Sequence, residues 1–108
     1  MKKTAAVLFV AGLLVACSPK FMTPMQTDVD RMTAKFPGYT LADLQKGMSL
    51  YQSKCGACHD PKAPRSRDEA GWREIVPHMV EKSNKKGKPI SPEEADLILR
   101  YVITMGKH

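Results

Sequence analysis

Apolar positions in this chain form one unbroken run near its start and a series of periodic stretches after it. The run extends from Ala5 to Val15, directly behind Lys2 and Lys3. Further along, Val29, Met32 and Phe36 recur at helical spacing, after Thr27 and Asp30 in a capping-box-like order and before Pro37-Gly38, which predicts a short helix. A second helix is predicted from Thr40 as N-cap, with Asp43 three residues on and Leu41, Leu44, Met48 and Tyr51 along one face. Gly47 interrupts its good helix formers at a cost of about 1 kcal/mol relative to alanine, so another element is expected to approach closely there. A third helix is predicted from Asp68, with acidic residues in its first turn, Trp72, Val76 and Met79 on a common face and Pro77 expected to kink it just before Met79. The last has the strongest start. Ser91-Pro92-Glu93-Glu94 combines a cap, an N1 proline and a capping-box glutamate. Leu97, Ile98, Tyr101, Val102 and Met105 then form its stripe, and Gly106 is expected to close it. No alternating strand pattern intervenes, so the fold class expected is all-α, with the second and last helices crossing at Gly47 against Leu97 or Tyr101.

The early apolar run is shorter than the roughly 20 residues that span a bilayer, and its basic start and small-residue end have the layout of an export signal. Leu14-Val15-Ala16-Cys17 resembles the lipobox of bacterial lipoproteins. The resemblance implies cleavage before Cys17 and a diacylglyceryl thioether on its sulfur. Ser18 in the following position implies the outer membrane, facing the periplasm. The chain is thus read as a signal peptide over residues 1–16, a lipid-anchored tether with a short helix over 17–39, and a folded domain over 40–108. Pro19 and Pro24 mark the tether, and no apolar period runs through residues 18–26. Loss of residues 1–16 removes two lysines and leaves 15 basic against 11 acidic side chains, a mild excess that suits acidic redox partner proteins, anionic head groups or plain solvation. Nucleic acid is not an expected partner, because the lysines cluster in one loop without interleaved aromatics. Residues Asn84 to Lys88 read as that flexible basic loop.

With Cys17 assigned to lipid, the remaining cysteines fall in Cys55-Gly56-Ala57-Cys58-His59, the C-x-x-C-H signature of covalent haem attachment. Two thiols three residues apart match the separation of the two haem vinyl groups, and the adjacent imidazole lies under the iron. Rival chemistries fit less well. A disulfide oxidoreductase expects its C-x-x-C beside a βαβ pattern. A zinc cage needs four ligands, with only His59, His78 and His108 left to join the pair. A structural disulfide assigns no role to His59.

From Thr40 to Gly106 the chain resembles the small monohaem, class I-like c-type cytochromes. The likeness rests on Thr40, Leu44, Gly47, Leu50 and Tyr51 ahead of Cys55, Cys58 and His59, then Trp72-x-x-Ile75-Val76-x-x-Met79, then the Tyr101-Val102 pair. It implies a cytochrome c-like fold of three to four helices around one covalent haem c. It also implies His59 and a methionine as axial iron ligands, and electron transfer without a small-molecule substrate or turnover. Met79 matches the pattern, and His78 beside it is the alternative. Met22 and Met25 fall in the tether, Met32 in the peripheral helix, Met48 before the motif, and Met105 near a helix end as core filler. Arg65, Arg67, Trp72 and Arg73 are candidates to meet haem propionates, and the carbonyl of Pro61 or Pro64 to hold the far nitrogen of His59. Beside an electron carrier stand two alternatives: a haem sensor or small enzyme with an open distal site, and a haem subunit of a larger oxidoreductase.

Overall fold

The computed structural model describes residues 20–108, and the signal segment and Cys17 lie outside the described residues. The fold is all-α. Four helices, α1 (Gln26–Asp30), α2 (Leu41–Leu50), α3 (Glu69–Lys85) and α4 (Pro92–Thr104), are joined by a π-helical turn, Tyr51–Cys55, and a 3₁₀ turn, Pro64–Ser66. Among the described residues there is no strand, only a single bridge between Asp68 and Lys107. No helix among them is long and apolar enough to cross a membrane.

The caps form as their chemistry dictates. At α2, Asp43 N–H donates to Thr40 Oγ1 (3.1 Å) and Thr40 N–H to Asp43 Oδ2 (3.2 Å). At α4 the same reciprocal pair joins Ser91 and Glu94 (3.0 and 3.1 Å). Asp68 caps α3 by accepting from Gly71 N–H. α1 begins one cap earlier than expected: Met25, not Thr27, precedes it, and Met25 N–H is taken by the Asp28 carboxylate. The helix is brief, but turns carry the chain onward so that Val29, Met32 and Phe36 are all buried.

α2 against α4 is the broadest contact, with α3 laid on α4 beside it. Their crossing is set by Gly47, where a β-carbon would sit 2.8 Å from Tyr101 Cβ and closer still to the Leu97 carbonyl. Leu44, Ile98, Tyr101 and Val102 are fully buried around it. Aromatic rings continue this core toward α3: Tyr51 meets Tyr101 at 5.7 Å and Trp72 edge-on at 5.9 Å.

α3 runs as one helix through Pro77, with Trp72, Val76 and Met79 on one face by helical periodicity. One expectation needs revision. Gly106 has a negative φ, so it is not a left-handed cap. Its lack of a side chain matters instead because the Arg67 carbonyl and Trp72 Nε1 would lie 3.2 and 3.3 Å from a β-carbon, and Lys107 N–H bonds that same carbonyl (3.0 Å).

Candidate functional site

The motif lies where α2 changes its winding. After Leu50 the helix widens into the π turn, which places Tyr51 in the core and leaves Cys55 half-buried; Cys58 and His59 follow on an exposed turn. Tyr51 is the pin. Its hydroxyl donates to the Lys62 carbonyl at 2.5 Å, tying the motif loop back to the helix that precedes it. Trp72 pins the loop a second time by donating from Nε1 to the Pro64 carbonyl at 2.8 Å. That bond takes up the indole N–H and occupies one of the two carbonyls, Pro61 and Pro64, expected to serve His59. The imidazole uses a nearer acceptor: Nδ1 lies 3.1 Å from the Asp60 carbonyl. A carbonyl only accepts, so Nδ1 donates in this contact and Nε2 is the ring nitrogen left for another partner.

Facing the motif is α3. Two adjoining cavities open between them, one of about 150 Å³ and one of about 260 Å³. Cys55, His59, Met79 and Lys82 border both. The smaller also meets Cys58, and the larger is walled by Tyr51, Trp72 and Ile75. Together they form a cleft with an apolar floor, two thiols and an imidazole on one side, and a thioether on the other. His78 borders neither; it is exposed, on a shallow depression with Glu81, Lys82 and Lys85.

The cleft is cationic. Lys54, Lys62, Arg67, Lys82 and Lys86 border it, and no carboxylate does. Of the residues proposed from sequence to meet propionates, Arg67 is at the cleft, 5.7 Å from the Trp72 ring. Arg73 is instead paired with Glu69 (2.7 Å), which also bonds Lys35, and both partners hold that carboxyl below its usual range. Arg65 lies against Met22 Sδ. Lys82 was missed in the sequence, although its position three residues beyond Met79 puts it on the same face.

The supposed basic loop after α3 is tied down. Ser83, buried, donates to the Lys88 carbonyl (2.5 Å), Ile90 N–H bonds Asn84 Oδ1 (2.7 Å), and Lys88 Nζ reaches the Ala57 carbonyl in the motif (3.0 Å). The helix itself extends to Lys85, and the N–H groups of Lys86, Gly87 and Lys88 take up carbonyls of its last turn.

Burial first, and then the neighbouring Cys58, push the Cys55 thiol up to about 11. That is the reverse of the depressed value an attacking thiol of an oxidoreductase requires. Among the described residues, no three His, Cys, Asp or Glu side chains gather into a metal-binding group. No protein-family model, curated protein or solved structure matches the chain.

Proposed function

We propose that this protein is a monohaem c-type cytochrome, exported, anchored by lipid on Cys17 at the periplasmic side of the envelope, and carrying electrons between redox partner proteins. The observation that carries the reading is the single cleft bordered by Cys55, His59 and Met79, side chains drawn from two elements and separated by up to 24 positions. The residues suit the group. Thiols of Cys55 and Cys58 would add across its two vinyl double bonds, an addition that needs no oxidant. His59 Nε2 and Met79 Sδ would hold its iron, and the position of His78 away from both cavities favours the thioether. Bound haem supplies a one-electron iron couple. Everything else is the chain's own work: Tyr51, Trp72 and Ile75 keep water from one wall, while Arg67, Lys62 and Lys82 offer cations to two carboxylates without a competing acid. With His59 and Met79 both holding the iron, no site on it would be left for substrate, which favours a carrier over an enzyme.

The test is expression of the full chain with a haem-attachment system, followed by denaturation. The expected result is a pigment that stays with the polypeptide and adds its mass to the peptide holding Cys55 and Cys58. Colourless protein of unmodified mass refutes the proposal. In the pigmented protein, Met79→Ala should abolish the near-infrared sulfur-to-iron band and His78→Ala should leave it. Rapid carbon monoxide binding by the reduced form at neutral pH would transfer the assignment to a sensor.

A further inference from the structure

The stretch between the anchor and α1 does not hang free in this fold. Lys20 Nζ pairs with Asp60 at 2.9 Å, one residue beyond His59. Phe21 packs edge-on against Tyr51 at 6.2 Å, Met22 Sδ meets the Arg65 guanidinium, Pro24 is buried, and Met25 N–H is held by Asp28. A segment fixed at so many points has a fixed outer face. On it stand the two large apolar side chains that the described part of the protein exposes, Met22 at 48% and Met25 at 60%. An ordered pair of exposed methionines is costly in water and suited to the boundary between head groups and acyl chains.

We infer that this face, Lys20 to Met25 with the adjoining Asp60–Arg65 loop, seats on the lipid bilayer and holds the motif edge of the cleft against the membrane surface. The inference rests on the lipidation of Cys17 proposed above. Lys20 is three residue steps from Cys17, which reach at most about 11 Å. The patch therefore stays next to the membrane that holds the acyl chains. Two carboxylates of this face are paired with cations, Asp60 with Lys20 and Asp28, which holds Met25 N–H, with Arg31 at 2.5 Å.

The experiment uses the full-length lipidated protein in vesicles of phosphatidylethanolamine and phosphatidylglycerol, with chloramine-T oxidation of methionines read by peptide mass spectrometry. Exposure alone ranks Met22 and Met25 ahead of Met48 and Met105, which are half-buried. Seating on the bilayer inverts that order, and Met25→Glu should restore fast oxidation at Met22. If Met22 and Met25 remain the fastest in vesicle-bound protein whose N-terminal peptide carries the lipid mass, the seating is wrong while the anchor stands. An N-terminal peptide without lipid overturns both.

Discussion

The seam between α2 and α4 and the cleft between the motif turn and α3 lie side by side, share Tyr51 and Trp72, and are built on opposite terms. In the seam, Leu44, Ile98, Tyr101 and Val102 have essentially no exposure, and the approach is so close that only glycine fits at position 47. Across the cleft, Cys55 and Met79 are half-buried, His59 and Cys58 are exposed, and the charges all have one sign. The seam holds the fold in place; the cleft is a surface the fold leaves unfilled and ringed with cations. Stability and function are thus separated by about one side chain's width, and the two shared aromatics are the hinge of that separation.

Substitutions can break this contrast, and the largest effect belongs at the boundary. Trp72→Ala should cost about 3–5 kcal/mol from lost packing alone, with the indole bond to the Pro64 carbonyl lost and the motif loop loosened as well. Urea unfolding measures it. Gly47→Ala comes next: the added methyl meets α4 backbone, and a loss of about 1–3 kcal/mol is expected despite alanine's better helix propensity. A mild gain in stability there would show that the crossing is looser than described.

pH probes the seam specifically. Burial pushes Tyr39 and Tyr101 up to about 12 and Tyr51 higher still, whereas unfolded phenols ionise near pH ~10. Above that pH the unfolded chain releases protons the folded chain keeps, so stability is fully present below about pH 10 and falls through about pH 12. Urea midpoints across this range should fall steadily, and Tyr101→Phe should flatten the fall. A weaker break is Thr40→Ala, about 1 kcal/mol for a lost cap. Smallest is Lys82→Ala at the cleft, expected within about 0.5 kcal/mol in the polypeptide's own unfolding, while haem retention drops if the cation ring holds carboxylates. A large stability loss in Lys82→Ala would dissolve the contrast.

Much of the seam was legible beforehand because its devices are local. Thr40-x-x-Asp43 and Ser91-Pro92-x-Glu94 each satisfy helix-end N–H groups within one turn, and Gly47 in a run of good helix formers signals a neighbour. The π turn at Tyr51–Cys55 was not legible, since it arises from Tyr51 being drawn into the aromatic core while its hydroxyl reaches Lys62. The partner of His59 was misplaced for a similar reason. Pro64's carbonyl was spoken for by Trp72, a residue eight positions away brought near by packing. The basic stretch after α3 read as mobile because its composition is polar, and Ser83, Asn84 and Lys88 instead close it through bonds whose geometry no composition encodes.

Sequence alone determined the helical class, the two strong caps, the glycine crossing and the five-residue motif, because each depends on neighbours within a turn or two of the chain. Tertiary structure decided which of Met79 and His78 meets the cleft, which arginine stands there, and that Lys20 to Met25 lies on the domain. Those outcomes depend on the rotation of α3 against the motif and on contacts between residues tens of positions apart, where side-chain direction is set by burial and no local pattern records it.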